Sequence, residues 1–329
     1  MASRVRIGFF GAGGIAQHHL NHLREIPEAQ VTAICDINEE RVKTTAASFG
    51  AAGYSDSAKM LADTKLDALY VCVPPHAHGD IEIRAAQKGL HLFVEKPVNL
   101  FMDQALKAAE AIRKAGVFSQ IGYSLRYLGS AIRLKEFLKD KDVGSAHCFR
   151  WGGLPGVPWW RRYDQGGGQL VEMTTHQVDL LRWVMGEIEA VSASYSFKRI
   201  FKDQPDVTVP DSQAILLHFK SGASATINTV CATGKTGINT VDFAIRDAKV
   251  SWKHDALTID PAEQYPLPAA PAETPSIDLS FVRAIASGNA AMLRSPYDDG
   301  LKTAAVTLAA NRSAENGGKL VHVSEVLGG

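Results

Sequence analysis

Short apolar runs alternate with amphipathic stretches through the first third of the chain. Residues 4–10, 31–35, 69–73, 90–94 and 117–121 are compact and rich in β-branched, aliphatic or aromatic side chains, as buried strands are. Between them, residues 15–25, 38–49, 78–88 and 101–115 repeat apolar positions at helical spacing, and Gly50 and Gly89 stand where helices end. Strands alternating with helices of this length predict a parallel, doubly wound α/β sheet with right-handed crossovers. The rhythm changes after about residue 125. A helix over 130–139, a strand over 146–151, an aromatic and glycine-rich stretch over 152–168 and a helix over 170–185 come next. Alternating strands at 190–197, 214–219, 223–229, 240–246 and 248–253 follow without intervening helices, which implies an antiparallel or mixed sheet. The proline-rich residues 261–275 predict a surface crossing, and two late helices, 277–287 and 299–316, are placed to return and brace the first domain. The expected domains are residues 1–123 and 124–329.

Composition narrows the partners. Across 329 residues, 35 Lys and Arg balance 35 Asp and Glu, which argues against nucleic acid or an anionic membrane as partner. No apolar run approaches the length of about 18 residues that a membrane-spanning helix needs. The four cysteines, Cys35, Cys72, Cys148 and Cys231, form no Cys-x-x-Cys, so neither zinc nor a dithiol is signalled. Residues 1–8 pass into a strand with no leader-like apolar region. Together these features lead us to expect a reducing, cytoplasmic setting and a small-molecule substrate.

Gly11-Ala12-Gly13-Gly14-Ile15-Ala16 joins the first strand to the first helix and fits G-x-G-x-x-A. The first glycine makes the tight turn, Gly13 and Gly14 let the backbone approach a pyrophosphate, and Ala16 lets helix pack on strand. The helix N-terminus supplies unpaired N–H groups to the anion. Asp36 closes the second strand about 20 residues later, the spacing of a carboxylate that binds the adenosine ribose. A carboxylate there accepts from a free diol and repels a 2′-phosphate, so NAD is expected over NADP, with Arg41 nearby among the acidic Glu39 and Glu40. Pro74 and His78 follow the third of the predicted strands; His78 is read as capping the next helix, touching cofactor, or lying solvated in the loop.

Two constellations carry chemistry. Glu95-Lys96-Pro97 ends the strand at 90–94, and a lysine at the mouth of a parallel sheet is costly unless its amine is used. In the second domain Gly166-Gly167-Gly168 leads into a helix bearing Glu172, Thr175, His176 and Asp179. Glu172 and His176 are spaced i, i+4, so a carboxylate would lie beside an imidazole and orient it for proton transfer. A salt-bridged surface helix is the bland alternative, and a metal set of Glu172, His176 and Asp179 is disfavoured because three ligands in one short segment crowd. Trp159, Trp160, Arg162 and Tyr163 precede the glycines, as rings to stack on a sugar and a cation to fix hydroxyls, or simply as core. Tyr123 and Arg126 are further substrate candidates.

The glycine loop, Pro74 with His78, Glu95-Lys96-Pro97, and Gly166-Gly167-Gly168 with His176 and Asp179 together resemble the glucose–fructose oxidoreductase and inositol dehydrogenase (Gfo/Idh/MocA) family over nearly the whole chain. The resemblance implies a Rossmann domain, a C-terminal domain on an open, mainly antiparallel sheet, and a homodimer or homotetramer formed through that sheet. It implies NAD(P)-dependent oxidation of a carbinol in a sugar, sugar derivative or cyclitol, with Lys96 contacting substrate and cofactor and His176 as acid/base. The family helix usually reads Asp-x-Gly-x-His, whereas here Glu172 and Thr174 stand at the first and third positions, and Pro75 replaces a common asparagine. Two alternatives remain at this stage: a NAD-assisted glycosidase or lyase working by transient oxidation, and a non-catalytic sensor of NAD or sugar.

Overall fold

The computed structural model describes residues 4–328, so the first three residues of the expected leaderless start lie outside it. The chain divides into two compact units, one running to residue 122 and including 275–300, the other holding 123–274 and 301 onward.

The first unit is built on six strands: β1 (Val5–Phe10), β2 (Ala29–Cys35), β3 (Ala52–Tyr54), β4 (Ala68–Val71), β5 (His91–Val94) and β6 (Ser119–Ile121). Their order is β3-β2-β1-β4-β5-β6, and every pairing is parallel. The order reverses at β1, which places the switch point, and hence a ligand crevice, at the carboxyl ends of β1 and β4. All four residues of β4 are buried, as a central strand covered on both faces requires. The connecting helices are α1 (Gly14–Arg24), α2 (Glu39–Phe49), α3 (Ser57–Asp63), α4 (Ile81–Gln87) and α5 (Met102–Ala115). Asn38 caps α2 by accepting from the Arg41 amide, and Gly50 ends it in the left-handed region. The expected helix over 78–88 is shorter than read: Pro75–Ala77 makes a 3-10 turn and α4 starts only at Ile81. The short β3 and α3 fall in a stretch that the apolar pattern left unassigned.

The second unit holds an eight-stranded sheet: β7 (Ser145–Trp151), β8 (Ile188–Ser196), β9 (Ser212–Phe219), β10 (Ser224–Val230), β11 (Ile238–Ile245), β12 (Ala248–Trp252), β13 (Leu257–Asp260) and β14 (Val321–His322), ordered β13-β12-β11-β7-β10-β9-β8-β14. All neighbours are antiparallel except β7 and β10, which run parallel. Strict alternation buries Ala225, Ile227 and Thr229 on one face of β10. The other face of the sheet leaves Phe149, Leu216 and Ile238 exposed. The helices of this unit are α6 (Gly129–Leu138), which packs on β12 and β13, the single turn α7 (Tyr163–Gly166), and α8 (Thr175–Met185), which packs on α6.

The helix expected over 170–185 is not uniform. Residues Leu170–Thr174 form a π turn and only then does α8 begin, so Glu172 and His176 span a change of helical pitch. Such wide turns cluster at functional sites. The chain then returns to the first unit through α9 (Ile277–Ser287), whose Phe281 meets Tyr70 and Phe93 edge-on at 5.6 Å. Those two rings stack at 4.5 Å, and Phe9 stacks on Tyr70 at 4.8 Å. The last long helix is α10 (Tyr297–Glu315), followed by the short α11 (Val323–Leu327).

Arg126 and Asp179 hold α8 to the turn that opens the second unit. Both are buried, and the guanidinium donates from Nε at 2.7 Å and from Nη2 at 2.6 Å to the two carboxylate oxygens, while Thr303 Oγ1 donates to Asp179 Oδ1 at 3.0 Å. Arg126→Met should strand that carboxylate and cost the second unit about 3–5 kcal/mol in urea unfolding; a loss below about 1 kcal/mol would show the pair to be dispensable.

Candidate active site

The glycine loop is fixed from behind. Gly11 adopts φ +98°, its amide donates to Cys35 O at 2.7 Å, and a Cβ on it would lie 2.3 Å from Cys72 O. Gly13 and Gly14 face open space instead, with nothing within 4 Å of where a side chain would start. This is a cradle a Cβ would fill: one glycine required by the chain, two that leave the N-terminus of α1 open to a phosphate. Ala16 is fully buried against the sheet and Ile15 is exposed at the rim. A cavity of about 570 Å³ opens here, lined by Ala12 to Gly14, Gln17, Asn38 and Arg41 among others. The residues present thus fit the phosphate and adenosine part of a dinucleotide.

Asp36 is tied into that loop more tightly than its spacing alone implied. Its Oδ2 accepts from the Ala12 amide at 2.7 Å, its Oδ1 from the Asn38 amide at 2.9 Å, and Arg41 Nη1 lies 3.2 Å from Oδ2. It braces the glycine loop, and its partners Ala12, Asn38 and Arg41 line the cavity. His78 is buried and its Nδ1 is 2.6 Å from Glu82 Oε1, which excludes the solvated-loop reading; Asp80, not His78, stands at the N-cap of α4. Pro74 begins the 3-10 turn before it.

Glu95 follows β5 at the carboxyl edge of the sheet and is buried. Its Oε2 accepts from the Lys96 amide at 3.1 Å, and its Oε1 lies 3.0 Å from His19 Nε2. The other ring nitrogen of His19 is 2.7 Å from Asp278 Oδ1, on α9, which also accepts from Tyr70 OH at 3.3 Å. His22 Nδ1 lies 2.8 Å from Asp278 Oδ2. Burial alone would lower the basicity of His19, but hydrogen bonds to Asp278 and Glu95 outweigh it and raise its pKa to about 10. Asp278 in turn is held below the usual carboxylate range by His19 and His22, although burial opposes this. The sequence reading missed both residues. Its available signal was a histidine on the buried stripe of α1 with Ala16, Leu20 and Leu23.

In the second unit the Glu172 carboxylate is buried, and its Oε2 accepts from Trp160 Nε1 at 2.9 Å. Trp160 packs into a core with Phe201, Val207, Val209 and Cys231, so it has no free face for a sugar; it anchors Glu172. Trp159 and Tyr163 pack partly against the same core, and Tyr163 OH reaches Glu315 at 3.4 Å. Arg162 is exposed and pairs with Asp164. Arg126, engaged with Asp179, is likewise a structural cation and not a substrate clamp. Tyr123 and Thr175 are fully buried with their hydroxyls 3.3 Å apart, and the Tyr123 ring meets His176 edge-on at 6.2 Å. Thr174, which stands where the family helix usually has glycine, is buried with its Oγ1 2.7 Å from Thr229 Oγ1 on β10. His176 itself is half-buried. Among the described residues no three of His, Cys, Asp and Glu lie together as metal ligands would, and no helix is long and apolar enough to cross a membrane.

Comparison with known proteins matches residues 5–123 to the Gfo/Idh/MocA oxidoreductase family with its NAD-binding Rossmann fold, and residues 133–244 to the C-terminal domain of that family. An uncharacterized oxidoreductase, YrbE, of Bacillus subtilis is 30% identical over 237 residues, covering 69% of this chain and 67% of that protein. A myo-inositol 2-dehydrogenase of Thermotoga maritima is 30% identical over 227 residues, covering 68% of each. In fold, the WlbA dehydrogenase of Chromobacterium violaceum, crystallised with NADH and UDP-GlcNAcA, superposes with a TM-score of 0.85 at 21% identity over 97% of this chain and 96% of that one.

The paired His19 has a pH signature. Its folded pKa stands above the ordinary 6.5, so the stability it contributes is complete below about 6.5 and is lost as pH rises through about 10. The gap in melting temperature between wild type and His19→Gln should therefore narrow from neutral pH toward pH 10; a gap that widens would contradict the assignment.

Proposed function

The chain belongs to the NAD-binding Gfo/Idh/MocA oxidoreductase family, and on that footing we propose that it is a dehydrogenase oxidising a secondary hydroxyl of a sugar, sugar derivative or cyclitol. The observation that carries this reading is Lys96, placed at the carboxyl end of β5 directly after a carboxylate held on both oxygens. Ligands of open α/β sheets bind at that edge. The relatives support the substrate class: one is named for myo-inositol, and one fold neighbour was crystallised with a nucleotide sugar.

NAD would be held by the Gly11 to Gly14 loop and the α1 N-terminus, with Asp36 at the adenosine end, and when bound it supplies the acceptor for the carbinol hydrogen. Lys96 then directs its ammonium to the substrate oxygen and stabilises the charge that develops there. His176 takes the hydroxyl proton. Glu172, anchored by Trp160, is the carboxylate assigned to orienting that imidazole.

The exposed apolar face of the second sheet, with Phe149, Leu216 and Ile238, supports self-association into a dimer or tetramer. The four unbridged, buried thiols fit a reducing cytoplasm.

A panel of polyols, aldoses, inositols and uronates incubated with NAD⁺ should yield NADH with at least one member. Lys96→Ala should then lower kcat by about 10²–10⁴-fold while the Kd for NADH stays within a few-fold. Undiminished kcat would refute the role of Lys96, and turnover without net NADH would favour the NAD-assisted lyase. With the best substrate, kcat/KM should be higher for NAD than for NADP. A clear NADP preference would mean that Arg41, not Asp36, governs the ribose end.

A further inference from the structure

Lys96 has a built foundation that the reaction itself does not explain. Starting from α9, Asp278 meets His19 Nδ1 at 2.7 Å, His19 Nε2 meets Glu95 Oε1 at 3.0 Å, and Glu95 Oε2 accepts the Lys96 amide at 3.1 Å. Asp278, His19 and Glu95 are all buried, so this chain of ionisable groups runs through the interior of the first unit from helix to sheet edge. Glu95 is also walled in by backbone: a Cβ on Gly122 would fall 2.3 Å from its Oε1. Gly122 in turn donates its amide to Val94 O at 2.9 Å, which keeps that wall in place.

A buried ionised carboxylate is costly unless it is paired and hydrogen-bonded. A packed apolar residue would have covered the end of β5 without that cost, as Phe93 and Phe281 do one layer deeper. Three ionisable side chains from three separate elements have instead been brought into line, and the line ends on the main chain of Lys96.

We propose that Asp278, His19 and Glu95 form a positioning relay that fixes the main chain at Lys96, with His19 as the residue that locks Glu95 in its gripping rotamer. The inference rests on the proposed role of Lys96. His19 does not touch substrate in this scheme; it acts through Glu95.

The charges around His19 are complementary. It is faced by Glu95 after β5, Asp278 on α9 and the neutral Tyr70 of β4, with His18 and His22 from its own helix, and the neutral Cys72 thiol just after β4 lies near the same two carboxylates. The two carboxylates keep the ring protonated, in line with a pKa raised to about 10. A protonated ring donates from both nitrogens and so grips Asp278 and Glu95 at once; a neutral ring donates to only one. Losing the proton should release Glu95, and with it the Lys96 amide.

The test uses the full chain labelled with ¹⁵N-histidine, read by ring-nitrogen NMR alongside kcat. In wild type, both His19 nitrogens should remain protonated up to about pH 9, well above an ordinary histidine. In Asp278→Asn, the ring transition should move down, and kcat should fall by about tenfold or more across that same transition while NADH affinity does not change. A merely structural role would lower stability without tying kcat to the ring. Gly122→Ala, which displaces Glu95 without substituting His19 or Asp278, should lower kcat comparably at unchanged NADH affinity. A wild-type ring that titrates near 6.5 overturns the relay. So does an Asp278→Asn enzyme whose kcat ignores the ring transition, or, if that variant does not fold, a Gly122→Ala enzyme with wild-type kcat. The role of Lys96 fails separately, through Lys96→Ala with full turnover, an outcome the ring spectrum does not affect.

Discussion

A carboxylate taken out of water must be answered by cations or N–H donors, and Glu95 is answered on both oxygens. Much of the first unit is arranged to make that possible. α1 must present His19 on its buried stripe. α9 must return from a distant part of the sequence to deliver Asp278. The aromatic stack of Phe9, Tyr70, Phe93 and Phe281 then seals the surroundings, so the pairing operates in a low-dielectric interior where it is strong. A surface ion pair of the same geometry would contribute little.

The second unit solves a parallel problem by different means. Its helix α8 is locked by Arg126 and Asp179 on one side and by the Thr174–Thr229 contact with the sheet on another. With those restraints in place, the π turn at Leu170–Thr174 holds a wide backbone pitch that an isolated helix would not keep. Glu172 emerges from that turn toward the Trp160 indole. In both units, then, a buried carboxylate with a dedicated donor precedes a residue assigned to the chemistry, Lys96 in one and His176 in the other.

Legibility in the sequence followed the physics of each signal. The parallel sheet was readable because runs such as residues 68–71 are apolar throughout and helices separate them. The antiparallel strands were readable from alternation, as in β10. The glycine loop was readable because Gly11 must adopt a positive φ against Cys72. What stayed hidden depended on long-range partners. Nothing local links His19 to Asp278, which lies 259 residues away. The aromatic segment at 159–163 looked like a sugar platform because tryptophan has the same composition signature in a core as in a binding site, and only the Phe201 to Val209 loop turns Trp160 into core. Arg126 was misread for the same reason, since its partner Asp179 sits 53 residues on. The π turn was invisible because its residues have ordinary helical propensities.

The central claim is that this chain removes a hydrogen from a carbinol carbon and delivers it directly to NAD. The most direct measurement uses a substrate from the reactive class carrying deuterium on that carbon, with the reduced cofactor examined by proton NMR. The account predicts one deuterium on nicotinamide C4 for each molecule oxidised, on a single face of the ring. Reduced cofactor without label, or label washed into solvent with no reduced cofactor accumulating, would contradict it.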